Sequence, residues 1–280
     1  MSPTSYHTAP PRVMKKDAYR QVYKDCQTFY SFLLMNTATN TISLIIPVYN
    51  EEENLGLLYE EIIHSLATLP YPWEIVFIDD GSTDASLQVI QNLAKTDPKV
   101  HFVAFAQNRG QSAAFAAGFR YAGGNILVTL DADLQNDPHD IPSMLEVYIK
   151  GEDMVIGWRV KRQDSVLKRY ASRLANFIRN KISRETVRDT GCSLKVMRAD
   201  MARKIPMFTG MHRFLPTLMK LQGARVAEVP VHHRPRSMGV SKYGIWDRAW
   251  SSAYDLLAVR WMQKRHIDYQ VAQTNCKQDQ

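Results

Sequence analysis

Asp131, Asp133 and Gln135 carry side-chain oxygens at alternate positions just after the apolar run Ile126–Leu130. Along an extended chain residues i, i+2 and i+4 share a face, so the three are expected to point together. Three hard oxygen donors suit Mg²⁺ or Mn²⁺, with water and substrate phosphates filling the remaining positions. A solvated acidic turn before Pro138 is the plainer alternative for one such motif. A second acidic stretch, Asp79-Asp80-Gly81-Ser82-Thr83-Asp84, follows a neighbouring apolar run and favours the metal reading. Asp80 is read as an acceptor for ribose hydroxyls or a base N–H, with Asp79 orienting it. The same residues could simply make a strand-to-helix turn, since Gly81 frees the backbone and Ser or Thr can cap a helix. Neither GxGxxG after a strand nor GxxxxGK[ST] occurs, so a dinucleotide fold or a P-loop is not supported.

Charge is divided along the chain. Residues 1–150 hold 10 Lys and Arg against 17 Asp and Glu, and residues 151–280 hold 25 against 11, within a total of +7. The first half is suited to a cation and the second to phosphates or an anionic surface. A composition of 45% hydrophobic and 22% charged residues excludes a disordered or collagen-like chain. Cys26, Cys192 and Cys276 form neither a disulfide framework nor a metal-binding spacing, which points to a reducing compartment. The longest apolar runs are far below the ~20 residues of a membrane-spanning helix. Phe29–Met35 lies too deep behind a polar leader to read as a signal sequence.

The elements that must position these residues alternate. Strands are expected at Ile42–Pro47, Trp73–Ile78, Val100–Phe105 and Ile126–Leu130, with helices from Asn50 to about Leu69, Thr83 to Ala94 and Gly110 to Ala122. Asn50 is read as the N-cap of the first of these helices, with Glu53 as its capping-box partner. Such βαβ units predict an α/β fold with a mostly parallel sheet flanked by helices, which binds ligands beyond the carboxyl ends of its strands. Tyr49, Glu51, Asp79, Asp80, Asn108, Arg109, Asp131 and Asp133 all fall at those ends. Residues 1–40 are read as an extension with one short helix over Asp17–Met35.

PVYNEEEN (47–54), DDGSTD (79–84), NRGQSAAFAAG (108–118), DADLQ (131–135), GWR (157–159), DTGC (189–192) and RSMGVSK (236–242) occur in this order. Over about residues 41–262 the chain resembles family 2 glycosyltransferases of the GT-A fold, especially the polyprenyl-phosphate sugar transferases. The resemblance implies a metal-dependent inverting transfer of sugar from a UDP- or GDP-sugar to a lipid phosphate. It implies that Pro47, Tyr49, Glu51, Ile78 and Asp80 line the nucleoside pocket and that Asp131 and Ala132 contact the nucleotide. Asp133 and Gln135 would hold the metal, while Arg159, Arg236 and Lys242 bind phosphates. Asp133, Asp189 and Arg236 form the expected catalytic set. Asp189 has two roles open: base for a hydroxyl acceptor, or orienter of Arg236 or of an acceptor phosphate. A turn carboxylate is the third reading.

The domains are expected to run 41–244 for the transferase unit, 245–262 for an amphipathic aromatic helix and 263–280 for a polar tail. In that helix Trp246, Trp250, Tyr254, Leu257 and Trp261 make one stripe, opposed by Asp247, Arg248, Ser251 and Asp255. The stripe either packs on its own protein or lies on a membrane, as does the basic, amphipathic stretch 164–182. The expected location is cytoplasmic, peripheral at the membrane face. A hydroxyl acceptor on a glycan, protein or small molecule is the alternative. Against the processive synthases of that kind, Leu257 stands where their QxxRW motif has Gln, ahead of Arg260-Trp261. No nucleic-acid-binding module is recognisable, so nucleic acid is not an expected partner.

Overall fold

Strand β1 (Ile42–Val48) is almost wholly buried, and both of its faces are apolar. Such a strand belongs in the middle of a sheet covered on both sides. In the computed structural model, which describes residues 40–159, 187–235, 245–267 and 273 (backbone alone for 245–253), β1 has that place. It pairs in parallel with β2 (Trp73–Asp79) on one side and β4 (Ile126–Thr129) on the other. Strand β3 (Val100–Ala104) extends the β2 edge in parallel. Beyond β4 come β6 (Lys195–Arg198), antiparallel to both neighbours, then β5 (Met154–Arg159) and β7 (Val226–Val231), giving the order β3-β2-β1-β4-β6-β5-β7.

Helices cover both faces. Helices α1 (Glu52–Leu66), α2 (Ser86–Thr96) and α4 (Ile141–Ile149) pack on one, where Ile42, Leu44, Ile46, Phe77 and Val128 point. On the other, α3 (Gln111–Tyr121), α6 (Leu215–Leu221) and α7 (Ile245–Arg265) meet Ile45, Val76, Leu127 and Ile156. A short helix, α5 (Ala199–Ala202), follows β6. With both faces filled, polar chemistry is left to the strand ends. The sheet reverses its winding between β1 and β4, and a ligand crevice is expected beyond the carboxyl ends at such a point.

Three expectations need correction. Asn50 is not the N-cap of α1, which is Glu51, and no capping box forms with the exposed Glu53. Instead Asn50 takes a left-handed backbone (φ 55°), and its side-chain oxygen accepts from the Thr83 N–H at 2.7 Å. Ile78 is fully buried in the core against α3, so its side chain presents no surface to a nucleoside. In α7 the polar-face residue Asp255 is buried with Leu256 and Val259, while Tyr254, Leu257 and Trp261 of the stripe are 75%, 64% and 64% exposed. Leu256 and Val259, three residues apart, dock the helix on the α6 side of the core. Among the described residues no helix is long and apolar enough to cross a membrane. The extension 1–39, the stretch 164–182, Arg236 and Lys242 lie outside the described residues.

Helix α3 approaches β1 so closely that a Cβ at Gly118 would run into Ile45 Cγ2. Gly118→Ala is expected to destabilise the chain by about 1–3 kcal/mol through overpacking. Urea unfolding would measure this, and the double variant with Ile45→Ala should lose less than the sum of the two singles.

Candidate functional site at the strand ends

The loops after β1 and β2 are interlocked. Backbone N–H groups of Asn50, Glu51 and Glu52 donate to Ser82 Oγ (3.0 Å), Ser86 Oγ (2.8 Å) and Asp84 Oδ2 (3.3 Å). The Ala85 N–H returns a bond to Glu52 Oε2 at 2.7 Å. The two acidic motifs therefore supply each other's missing helix-end partners. Tyr49 and Glu51 sit half-buried on this platform, and Glu51 Oε2 accepts from Asn54 Nδ2 at 2.6 Å. Pro47 is half-buried near the end of β1.

Asp80 is buried, and its two oxygens accept backbone N–H bonds from Arg109 (2.6 Å) and Gly110 (2.8 Å). Burial raises its pKa, against the pull of these two donors. Asp80 thus anchors the β3–α3 loop. Gly81 makes the approach possible: it has φ +67°, and a Cβ there would lie 2.6 Å from the Gln107 carbonyl carbon.

The DADLQ segment departs from the extended form assumed from alternation. Residues 132–134 turn, and Leu134 has φ 59°. Asp131, Asp133 and Gln135 therefore do not share a face by strand alternation, although all three stay half-buried at the end of β4, with Ala132 buried between them. Asp131 Oδ1 accepts from Gln111 Nε2 at 2.8 Å, and Asp133 Oδ1 accepts the Gln135 N–H at 3.2 Å. Burial, then the charge of Asp133, push the Asp131 carboxyl up to about 6. Among the described residues no group of three His, Cys, Asp or Glu gathers as a ready-made metal site. Two neighbouring carboxylates, with the Gln135 amide two residues on, still fit a hard divalent cation that takes its other ligands from phosphate and water.

Opposite this acidic turn lies a basic floor. Arg159, at the end of β5, holds Asp189 in a bidentate pair: Nε to Oδ2 at 2.7 Å and Nη2 to Oδ1 at 2.9 Å. The Arg159 N–H also donates to Asp189 Oδ2 at 3.3 Å. Arg159 lies close enough to Asp131 to oppose its raised pKa. The structure thus brings Asp131, Arg159 and Asp189 together, two of them directly paired.

Several neighbours escaped the sequence reading. Lys195 is buried, donates to the Cys192 carbonyl and feels the charges of Asp131, Asp189 and Arg159. Its ammonium is harder to protonate than usual, chiefly because of burial. A lysine inside the apolar run Leu194–Met197 was the available signal. His212 bonds Ser112 at 2.7 Å, and burial, aided by Arg213 and Lys195, lowers its pKa to about 3, so it stays neutral. Arg234 joins Glu61 (2.8 Å to each oxygen) to Asp137 (2.8 Å). Nothing in the spacing of those residues announces that clamp.

An α/β chain with acidic loops facing paired basic groups at the ends of a mostly parallel sheet is of the kind that handles phosphorylated ligands. The profile of glycosyl transferase family 2 matches residues 43–206, and the chain belongs to that family. It is 38% identical over 223 residues to dodecaprenyl-phosphate galacturonate synthase of Rhizobium johnstonii, covering 78% of this chain and 66% of the relative. It is 37% identical over 218 residues to undecaprenyl-phosphate 4-deoxy-4-formamido-L-arabinose transferase of Pectobacterium carotovorum, with 77% and 66% coverage. The chain thus spans about two thirds of the length of these relatives. Among solved structures, glucosyl-3-phosphoglycerate synthase of Mycobacterium tuberculosis with phosphoglyceric acid superposes at a TM-score of 0.61, 19% identity and 84% coverage of both chains. The architecture is the GT-A fold.

Asp80→Asn leaves one amide oxygen for two backbone donors and turns an NH2 group toward the other. The expected loss is about 1–3 kcal/mol of stability, with faster amide exchange at Arg109 and Gly110. Asp131 has the opposite sign. Held at about 6 instead of 3.8, it binds its proton more tightly folded than unfolded. It has no effect below about pH 4 and lowers stability progressively as pH rises from about 4 to 6, by at most roughly 3 kcal/mol before solvent screening. Metal-free Asp131→Asn should therefore resist urea better than wild type at pH 7.5 and equally near pH 4. It should also lose any Mn²⁺-induced stabilisation.

Proposed function

We propose that the chain is a divalent-metal-dependent, inverting glycosyltransferase that moves a sugar from a nucleotide-sugar donor onto a polyprenyl phosphate. The observation that carries this reading is the engagement of Asp189. Both of its oxygens are taken by Arg159, so it is poorly placed to accept a proton. A hydroxyl acceptor requires a general base, whereas a phosphate acceptor is anionic near neutral pH and attacks without one. The similarity to dodecaprenyl-phosphate galacturonate synthase and to undecaprenyl-phosphate 4-deoxy-4-formamido-L-arabinose transferase supports the same acceptor class.

For the donor, structures of the Mycobacterium tuberculosis enzyme hold Mn²⁺ with UDP-glucose, or Mg²⁺ with UDP. Here Asp131, Asp133 and Gln135 would hold such an ion, which would neutralise the charge that grows on the departing diphosphate. The remaining tasks fall to the chain itself. Asp80, Tyr49 and Glu51 bind the nucleoside, with Pro47 beside them. Arg159, whose fork is taken by Asp189, contributes positive charge nearby, while Arg236 and Lys242, later in the sequence, bind phosphate, for which a guanidinium fork and an ammonium are suited. The acceptor phosphate attacks the anomeric carbon from the side opposite the nucleotide, which inverts its configuration. The exposed Tyr254, Leu257 and Trp261 would rest on the membrane surface that carries the lipid, at its cytoplasmic face.

The test is transfer to undecaprenyl phosphate in detergent, screened across UDP- and GDP-sugars with Mn²⁺ or Mg²⁺. Asp133→Ala should reduce transfer more than about tenfold, equal to ~1.4 kcal/mol in the barrier. Asp189→Asn keeps an oxygen for Arg159 and should remain active, while Arg236→Ala loses more. An acidic limb near pH 6, from ionisation of the acceptor phosphate, should persist in Asp189→Asn. An Asp189→Asn enzyme inactive at every pH, with Arg236→Ala still active, would move the acceptor to a hydroxyl. A base-dependent transfer of that kind loses roughly 10²–10⁴-fold without its carboxylate.

A further inference from the structure

Asn136, the residue after the DADLQ turn, is buried and joins three strand-end segments that sequence keeps far apart. Its Oδ1 accepts from Ser193 Oγ at 2.7 Å, and its Nδ2 donates to Cys192 Sγ at 3.5 Å. Both partners belong to the turn that begins at Asp189. Asn136 also forms an antiparallel bridge with His233, and next to it the Arg234 N–H donates to the Gln135 carbonyl at 2.8 Å. The same turn is tied to the sheet by Thr129 Oγ1, which donates to the Ser193 carbonyl at 2.5 Å, and by Lys195 at the Cys192 carbonyl. Among these ties, the Asn136 side chain is the one that joins the segment following the 131–135 turn directly to the turn that carries Asp189.

We propose that Asn136 is a positioning residue that couples the donor-side acidic turn to the acceptor-side turn 189–193. This rests on the glycosyl-transfer reading above. A donor held by one loop and an acceptor by another react only when the loops are in register, and a misplacement of about 1 Å costs on the order of 10²-fold in rate. An amide suits the post because it is both donor and acceptor and adds no charge beside Asp131 and Asp133. A carboxylate there would lose the donor to Cys192 and add a third negative charge to the cluster.

The test uses the full chain as wild type, Asn136→Ala and Ser193→Ala, the last removing one tie while Asn136 stays in place. With the donor that wild type turns over, kcat for transfer should fall on the order of 10²-fold in Asn136→Ala, and by a smaller factor in Ser193→Ala. The dissociation constant for UDP with Mn²⁺ should stay within about threefold. Transfer and nucleotide affinity that fall by the same factor, or transfer left intact, would overturn the inference. Hydrogen–deuterium exchange gives a reading independent of turnover. Adding UDP and Mn²⁺ to wild type should slow exchange both at 131–135 and at 189–193. In Asn136→Ala only the first segment should respond. Equal protection of 189–193 in wild type and variant, or none in wild type, would overturn the coupling. If Asn136→Ala fails to fold, Ser193→Ala must show the same split for the inference to stand. Failure of wild type to transfer any sugar would remove the enzymatic reading, with the exchange result still deciding the coupling.

Discussion

Arg159 and Asp189 meet in a fork of two hydrogen bonds on a floor that is largely closed to water. Taking either charge out of water alone is costly, and removing one partner of such a pair typically costs 3–5 kcal/mol. The folded state therefore strongly favours the pair, which holds the turn after Val187 at the end of β5. Lys195 adds a second buried cation beside the same turn, near Asp131. Two cations and two carboxylates balance there, which leaves Asp133 as the excess negative charge in the acidic loop.

The remaining loops are braced in the same manner, by bonds that cross between segments. The β1 and β2 loops exchange backbone and side-chain partners. Asp80 ties the second to the third. The backbones of Gln135 and Asn136 tie the fourth to His233 and Arg234 in the segment after β7. Each brace satisfies backbone groups that a helix or strand leaves open at its end, so the polar architecture of the site also completes the hydrogen bonding of the fold. Asp131 is the exception that gives something up: its raised proton affinity is a local loss of stability in a place where a cation would be gained.

Helix α7 shows how weakly a hydrophobic stripe specifies its own surroundings. The five aromatic and leucine positions suggested a buried face as readily as an interfacial one. The chain instead buries the narrower strip of Leu256 and Val259, with Asp255 against the Gly210 turn, and leaves Tyr254, Leu257 and Trp261 exposed. Fit against α6 and the Gly210 turn decides this, and no single-helix periodicity contains that information.

The order of elements from Ile42 to Leu130, the mostly parallel sheet and the placing of acidic residues at strand ends were legible in the sequence; β5, β7 and the antiparallel β6 were not. Apolar runs of strand length alternating with amphipathic segments admit few other arrangements, and side-chain chemistry at the ends is read directly from residue type. The capping of α1, the turned course of DADLQ, the burial of Ile78 and the loop-anchoring bonds of Asp80 were not. Each depends on which distant segment arrives alongside: Ser82–Ser86 for α1, the Arg234 backbone for Gln135, α3 for Ile78 and the Arg109–Gly110 amides for Asp80. Sequence assigned Asp189 a choice of roles. The tertiary structure paired it with Arg159, because β5 and the 189–193 turn converge at one corner of the sheet, where a buried carboxylate is stable only beside a cation.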